Sequence, residues 1–235
     1  MTEELRIYLS CHFRMNFPAN HLGRAYTSLD CLTDLQPDCN TTRILYQVIC
    51  GLEYLHENNM VHRDLKPCNI FYQTRPYTHV KIGDVDQSTW LEGNHTTTGA
   101  MSKIFGTLAY MSPEMMAFEK GVGGSGCPGR KTDIWSYGCV IAFMWGRGKL
   151  QRRQNGSLIN LENAGQTQLG PHQAAVMSNA GTPLFALPEN VPYFWEELMQ
   201  NCFSYVCDNR PKSSKIRQDM QRELSCLHLS AGSGQ

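Results

Sequence analysis

The segment from residue 41 to residue 82 most constrains the fold, because it joins an amphipathic helix to a charged loop and two short strands. Apolar residues recur in its first part at steps of four, four and three, which places them on one helical face. These residues are Ile44, Val48, Leu52 and Leu55. Asn40 fits the position of a helix cap, and Asn58-Asn59 ends the pattern. The strands are predicted over roughly residues 70–73 and 79–82.

The composition is typical of a globular protein of one domain, or of two lobes that share one site. The chain has 235 residues, of which 41% are hydrophobic and 18% charged. Its 21 basic and 21 acidic residues cancel, so the overall charge gives no support for binding to nucleic acid or to a membrane surface. We therefore expect neither partner.

The N-terminus and the cysteines indicate an intracellular protein. The chain opens with acidic residues rather than a basic signal region, and its longest apolar run, Cys139–Trp145, is far too short to span a membrane. Its ten cysteines contain no C-x-x-C pair, which favours reduced thiols. The predicted location is the cytoplasm, and the nucleus is also compatible with these features.

Helices dominate the second half of the predicted structure. Asp133–Trp145 has little polar face, so we expect a helix buried on all sides. Arg152-Arg153 is interpreted as part of a solvated loop rather than a binding patch. The remaining predictions are a strand at Leu5–Leu9, a loop at 12–27, a short helix at Ser28–Leu35, an irregular segment at 146–192 with a short helix near 172–178, and helices at Phe194–Phe203 and Ser213–Leu224.

The segment HRDLKPCN, residues 62–69, matches every fixed position of the protein-kinase catalytic-loop motif. Phosphoryl transfer to a hydroxyl needs an acceptor for the hydroxyl proton, and the resemblance assigns that role to Asp64. Asn69 is the expected neutral oxygen ligand of Mg²⁺ on the same loop. Lys66 lies between them, where its ammonium can neutralise charge on the transferred group. These three residues are the predicted catalytic set, and Lys66 and Asn69 are also expected to contact the ATP·Mg²⁺ complex.

A second metal ligand is predicted at Asp84 in the segment GDVD, residues 83–86. Kinases carry Asp-Phe-Gly here, with the aspartate on Mg²⁺. The predicted metal site is therefore Asn69 with Asp84. Val85 replaces the aromatic ring and Asp86 replaces the glycine, which removes a residue that adopts positive φ without cost. Asp86 either adds charge beside the metal or is an exposed turn residue.

Three further segments follow in the order expected of the eukaryotic protein kinases, which the chain resembles over residues 62–211. They are GTLAYMSPE at residues 106–114, DIWSYG at 133–138 and DNRP at 208–211. The resemblance implies a buried ion pair between Glu114 and Arg210, and an Asp133 carboxylate that braces the catalytic loop. Lys66-Pro67 and Gly106-Thr107 look like the serine/threonine branch.

The resemblance implies an α+β fold, mainly the α-helical large lobe of a kinase with a small remnant of the β-rich small lobe. The predicted division is a remnant at 1–27, the large lobe at 28–229 and a tail at 230–235. No lysine precedes Lys66, so the lysine that pairs with the ATP phosphates has no counterpart. The glycines of residues 121–126 match G-x-G-x-x-G but follow Glu114, where no phosphate loop belongs.

Two functions are consistent with these motifs. The first is a protein serine/threonine kinase that uses ATP and Mg²⁺ to phosphorylate protein substrates, here with a truncated small lobe. The second is a pseudokinase that acts as a regulatory or scaffold protein. The polar segment Thr96–Ser102 lies where kinases are switched, so an upstream kinase is a predicted partner, although a solvated threonine run is the alternative.

Overall fold

Six α-helices, several short 3-10 turns and three small antiparallel sheets form the part of the chain that the structure describes. This structure, a computed structural model, describes residues 26–31, 39–73, 80–91, 106–119, 129–178 and 184–232. The helices are α1 (Cys39–Glu57), α2 (Pro113–Glu119), α3 (Arg130–Trp145), α4 (Gln166–Ser178), α5 (Tyr193–Cys202) and α6 (Ser213–Gly232). The strands are β1 (Tyr26–Ser28), β2 (Met60–Val61), β3 (Ile70–Gln73), β4 (Val80–Ile82), β5 (Thr89–Trp90), β6 (Gln151–Gln154) and β7 (Ser157–Asn160).

Helix α1 confirms the predicted amphipathic helix, but it begins at Cys39, so Asn40 lies in its first turn and is not the predicted cap. Its apolar stripe is in the core, where Leu45, Val48 and Leu52 are fully buried. The helix ends at an asparagine pair: Asn58 donates from its side chain to the Tyr54 carbonyl at 2.8 Å, and Asn59 adopts φ 58°. Asparagine tolerates this left-handed conformation, so the chain reverses here and enters β2.

Helix α3 confirms the prediction of a helix buried on all sides, since every residue from Thr132 to Trp145 is buried. The Tyr137 hydroxyl donates to the Leu45 carbonyl at 3.0 Å and so ties α3 to α1. At Gly138 a Cβ would lie 2.8 Å from both the Cys202 Cβ and the Phe203 ring. Glycine at this position therefore allows close packing of α5 against α3.

The largest sheet has the order β1-β3-β4, with both pairs antiparallel. The hairpin of β3 and β4 confirms the two predicted strands, and Ile70 pairs with Ile82 at its open end. Strand β1 corrects the predicted loop at residues 12–27, because Tyr26 and Thr27 pair with β3. Of the helix predicted from Ser28, the structure describes only a 3-10 turn at Leu29–Cys31. The strand predicted at Leu5–Leu9 lies outside the described residues.

The prediction of an irregular segment at residues 146–192 is wrong, because it contains a hairpin and a full helix. Strands β6 and β7 pair from Gln151↔Asn160 to Gln154↔Ser157, and Asn155 (φ 49°) and Gly156 (φ 80°) form the turn between them. Two central residues with positive φ define the turn that best fits the twist of a hairpin. Arg152 and Arg153 therefore lie in a strand rather than in the predicted loop.

The last part of the chain follows the prediction closely. Helices α5 and α6 confirm the two helices predicted at its end, and α6 packs against α1. Helix α4 begins at Gln166, ahead of the short helix predicted near 172–178. The lobe boundaries predicted at residues 28 and 229 stay predictions.

Candidate active site

The segment between β2 and β3 carries most of the predicted site residues, and a buried carboxylate on α3 holds its backbone. Asp133 is fully buried; its Oδ2 accepts from the His62 amide and its Oδ1 from the Arg63 amide, both at 2.8 Å. The ring of His56, on α1, is 2.9 Å from the same Oδ2. Arg63 adopts φ 72°, a left-handed conformation that these two bonds stabilise. The bracing role expected of Asp133 is confirmed.

Asp64 lies at the centre of a compact polar cluster and is only 7% exposed. Its Oδ2 is 2.7 Å from Lys66 Nζ and accepts from Asn69 Nδ2 at 3.3 Å. Its Oδ1 accepts from the Thr107 amide at 3.0 Å and from the Thr107 hydroxyl at 3.1 Å. The structure therefore brings together Asp64, Lys66 and Asn69, the three residues predicted as catalytic.

Thr107 is a member of this cluster that the sequence analysis did not assign to the site. Lys66 Nζ donates to its Oγ1 at 2.7 Å, and the hydroxyl donates onward to Asp64. A charged donor and a charged acceptor on one hydroxyl fix the rotamer of the threonine. In the sequence the Gly106-Thr107 pair indicated only the serine/threonine branch, and no local pattern placed Thr107 beside Asp64.

Asn69 is oriented by its amide nitrogen. Nδ2 donates to the Asp64 carbonyl at 2.8 Å, which leaves Oδ1 as the acceptor on the other side of the amide. Asn69 ends a 3-10 turn that begins at Pro67, whose ring suits the first position of a helical turn. With 4% of its surface exposed, the side chain is held in one orientation before any ligand binds.

Asp84 follows β4 and is connected to the catalytic loop through the backbone of Gly83. The Gly83 amide donates to the Asn69 carbonyl at 2.8 Å, and His62 Nε2 lies 2.9 Å from the Gly83 carbonyl. Because His62 Nδ1 accepts from the Asp64 amide at 3.3 Å, the Nε2 position carries the proton and donates. Asp84 itself is exposed and adopts φ 55°.

Charges from both loops act on the Cys68 thiol. Burial raises the pKa of Cys68, Lys66 opposes this effect, and nearby carboxylates that include Asp64 and Asp84 add to it. The same thiol donates to Asn69 Oδ1 at 3.5 Å. Asp64 of the catalytic loop and Asp84 after β4 are thus both close enough to raise the pKa of the same thiol.

The ligand chemistry of Asn69 and Asp84 fits Mg²⁺. An amide oxygen and a carboxylate are hard oxygen donors, and Mg²⁺ in phosphoryl-transfer sites takes only one or two protein ligands beside phosphate oxygens and water. Within the described ranges no group of three or more His, Cys, Asp or Glu side chains is placed to hold a metal. These two residues would hold the ion, which supplies charge neutralisation on the phosphates when bound.

The two departures from the Asp-Phe-Gly pattern lie in a 3-10 turn at Val85–Gln87. Val85 is 41% exposed, so it does not replace the buried packing of an aromatic ring. Positive φ falls on Asp84 rather than on Asp86, so this turn requires no glycine at position 86. Asp86 is exposed, in agreement with its interpretation as a polar turn residue.

A buried ion pair anchors the segment that follows Thr107. Arg210 NH1 and NH2 donate to the two carboxylate oxygens of Glu114 at 2.6 and 2.7 Å, as the sequence analysis expected. Arg210 is 1% exposed, and its guanidinium lies 5.1 Å from the centroid of the Trp135 ring. Two parallel bonds of this kind fix orientation as well as distance.

Comparison with known proteins agrees with this geometry. The family model of the protein kinase domain matches residues 20–221, and the chain belongs to the protein kinase family. The predicted fold class, an α+β kinase fold that is mainly helical with few short strands, is confirmed. Enzymes of this family transfer phosphoryl groups from ATP with the help of Mg²⁺.

Several curated kinases are similar to parts of the chain. Mitogen-activated protein kinase kinase kinase 4 of Mus musculus and of Homo sapiens is 40% identical over 99 residues, which is 42% of this chain and 6% of either relative. Tyrosine-protein kinase SYK of Gallus gallus is 29% identical over 174 residues, 73% of this chain and 24% of that protein. The chain thus spans a quarter or less of the length of these relatives.

Other predictions concern segments outside the described residues. They include the polar cluster Thr96–Ser102 and the glycine-rich segment 121–126. In the part of the chain that is described, none of the helices combines the length and apolar character needed to cross a membrane.

Proposed function

We propose that this chain is the catalytic region of a protein serine/threonine kinase, in which residues 28–229 form the large lobe. The observation that carries the proposal is the Asp64 carboxylate, which Lys66, Thr107 and Asn69 hold within 3.3 Å. A base for a substrate hydroxyl has to be positioned before the substrate arrives, since catalysis of phosphoryl transfer is mostly positioning and electrostatics.

Each residue has a separate role in this proposal. Asp64 orients the substrate hydroxyl and accepts its proton. Lys66, already 2.7 Å from Asp64, supplies a positive charge next to the transferred group. Asn69 and Asp84 bind Mg²⁺ of the ATP complex. The cofactors are therefore ATP and Mg²⁺, and the partner is a protein substrate.

The preference for serine and threonine is supported by the contact between Thr107 and Asp64. Both the amide and the hydroxyl of Thr107 lie within 3.1 Å of the carboxylate, so the segment that leads to Glu114 passes directly beside the base. A substrate backbone bound along that segment is close to the base, which suits a hydroxyl on a short side chain better than one at the far end of a tyrosine ring.

The test is phosphoryl transfer by the chain with matched variants. The chain is incubated with Mg²⁺ and γ-labelled ATP and with casein, histone or myelin basic protein, and the labelled residues are identified by phosphoamino-acid analysis. Asp64→Asn keeps the shape and removes the base, so the rate should fall by about 10²–10⁴-fold. Asp86→Asn makes the same change in charge on an exposed turn residue and should change the rate less than about twofold.

The outcomes separate the two functions. Labelled phosphoserine or phosphothreonine that depends on Asp64 supports the proposal. Label on tyrosine alone refutes the assignment to serine/threonine kinases. If the chain labels no protein, and Asp64→Asn retains the cellular phenotype of the wild type, then the pseudokinase alternative is correct.

We also infer that an upstream kinase modifies the polar segment Thr96–Ser102. A phosphate there would add about two negative charges, which Arg63 can bind through charge-assisted hydrogen bonds. Mass spectrometry of protein from stimulated cells should find phosphate on Thr96, Thr97, Thr98 or Ser102, and four unmodified residues would contradict the inference. The proposed location of this event is the cytoplasm.

A further inference from the structure

The hairpin of β6 and β7, between α3 and α4, has one open edge. Gln154 and Ser157 flank its two-residue turn and form a hydrogen-bonded pair. In an antiparallel hairpin every second pair is hydrogen-bonded, so the next pair, Arg153 and Leu158, is not. The Leu161 amide donates to the Leu150 carbonyl at 2.8 Å, which agrees with this alternation of bonded and unbonded pairs. The amide and carbonyl of Leu158 therefore point away from β6. Within the described residues β7 pairs with β6 and with no other strand.

The opposite edge of the hairpin is covered. The Ala186 amide donates to the Gln151 carbonyl at 2.8 Å, so the segment before α5 lies along the outer side of β6. Exposed strand edges bind other extended chains readily, and proteins usually cover them. Among the described residues, nothing pairs with the outer edge of β7, so this edge can accept an added strand.

The two faces of the hairpin also differ, because one is packed on a helix and the other is exposed. Arg152 NH1 donates to the carbonyls of Pro171 and His172 at 3.2 and 3.3 Å, which fixes one face on helix α4. Arg153 and Leu158 form a cross-strand pair on the other face, where Arg153 is exposed and Leu158 is 50% exposed. Leu158 thus borders the open edge, and the cation of Arg153 lies one strand further in on the same face.

The charge within the hairpin segment has one sign. Residues 147–161 contain four basic side chains and no acidic one. The first acid is Glu162, whose Oε1 accepts from the Tyr110 hydroxyl at 2.8 Å. Burial raises the pKa of Glu162, while the bond from Tyr110 opposes that shift. A partner at this edge therefore meets cations that no acidic residue within the hairpin neutralises.

The hairpin is linked to the candidate active site through Glu162. This residue comes two positions after the end of β7, and Tyr110 comes three positions after Thr107, which contacts Asp64. A protein held at Asp64 along the Thr107–Glu114 segment would thus pass close to the end of β7.

We propose that the outer edge of β7 docks an extended, acidic segment of the protein substrate as an added strand. The backbone of the segment bonds to Leu158, and its acidic side chains face Arg153. The identity of the partner as a substrate rests on the proposed kinase function, but docking itself does not require phosphoryl transfer.

The test is a binding measurement, because its result does not depend on catalysis. The probe is a fluorescein-labelled twelve-residue peptide of alternating Glu and Val, and its counterpart replaces Glu by Lys. Fluorescence anisotropy with the purified chain should show saturable binding of the acidic peptide that weakens with salt. The basic peptide should bind at least about tenfold more weakly.

Two substitutions separate the charge from the backbone. Arg153→Glu should weaken binding by roughly three- to tenfold, whereas Lys149→Glu, the same change outside the strand, should have a smaller effect. Leu158→Pro removes the outward amide at an edge position that tolerates proline, and should cost about fivefold. Leu158→Ala keeps the amide, so it measures the side chain alone.

The results decide the proposal whether or not the chain proves to be an active kinase. Equal binding of both peptides, or a weakening by Lys149→Glu as large as that by Arg153→Glu, would refute docking at β7. If Leu158→Pro lowers the melting temperature, Arg153→Glu decides alone. If the chain phosphorylates proteins, an acidic segment fused beyond the phosphoacceptor should lower KM in the wild type and not in Arg153→Glu; an equal KM in both would show that β7 does not dock substrates.

Discussion

Replacement of Arg210 by alanine should destabilise the protein more than any exposed substitution. The change removes both bonds to Glu114, and it also removes a bond from Nε to the Ser204 carbonyl and one from NH1 to the Lys131 carbonyl, each at 2.8 Å. The Glu114 carboxylate, with 10% of its side chain exposed, then remains buried without its cation.

The magnitude follows from that stranded charge. Removal of one partner of a buried ion pair typically costs about 3–5 kcal/mol, since the remaining charge has lost both water and its partner. Loss of the contact with Trp135 belongs to the same change, so we expect about 4 kcal/mol. For a chain of this size each kcal/mol lowers the melting temperature by about 2–4 °C, which gives a decrease of roughly 8–16 °C.

Urea unfolding followed by tryptophan fluorescence measures this effect directly, because Trp135 lies beside the guanidinium. Lys215→Met is the control: Lys215 pairs with Asp219 at 2.5 Å but is 57% exposed, so its loss should cost less than about 0.5 kcal/mol. A cost below about 1 kcal/mol for Arg210→Ala would show that the Glu114 carboxylate reaches water, and the argument from burial would be wrong.

Three other substitutions test the core around the site. Asp133→Asn places an amide opposite the His62 and Arg63 backbone amides, so it should destabilise by about 2–4 kcal/mol and speed hydrogen exchange of those amides. Burial lowers the pKa of His172 from 6.5 to about 4, so only the unfolded chain gains this proton as pH falls through that range. Stability should therefore fall by about 3 kcal/mol from pH 6.5 to 4, and His172→Gln should lack this slope in urea titrations. Gly138→Ala would put a Cβ 2.8 Å from the Phe203 ring and should cost about 1–3 kcal/mol by thermal melting.

The elements that the sequence predicted well are those with a strong local pattern. Helix α1 follows an apolar period, and α3 follows from a run with almost no polar face. Their burial in the structure agrees with these patterns, because a stripe or a wholly apolar helix has few alternatives to the core. Family motifs located Asp64, Lys66 and Asn69, and the structure groups them.

The hairpin of β6 and β7 was missed for a reason that the sequence contains. Asn155-Gly156 is a strong signal for a two-residue hairpin turn, but the flanking residues are mostly polar and do not alternate. An apolar strand pattern usually fixes a hairpin against the core. This hairpin is fixed instead by its turn, by the bonds from Arg152 to α4 and by the bond from the Ala186 amide to β6. Tertiary contacts of this kind have no local signature.

The contact of Thr107 with Asp64 could not be predicted from local patterns. It joins residues 43 positions apart, and it depends on the path of a segment that has little regular structure. Buried polar partners at such a separation become visible only when the backbone is known. The burial of His172 could not be predicted from the sequence either, because its helix has no clear apolar face.

Helix α3 is the common support of both halves of the candidate site. Asp133 holds the catalytic loop, and three residues further on Ser136 donates to the Tyr110 carbonyl at 2.9 Å, which holds the segment after Thr107. On the same helix the Lys131 carbonyl and the Trp135 ring contact Arg210. Because three anchors share one buried element, a small shift of α3 would move Asp64 and the Thr107–Glu114 segment together. Substitutions that displace this helix should therefore reduce the proposed phosphoryl transfer before they unfold the chain.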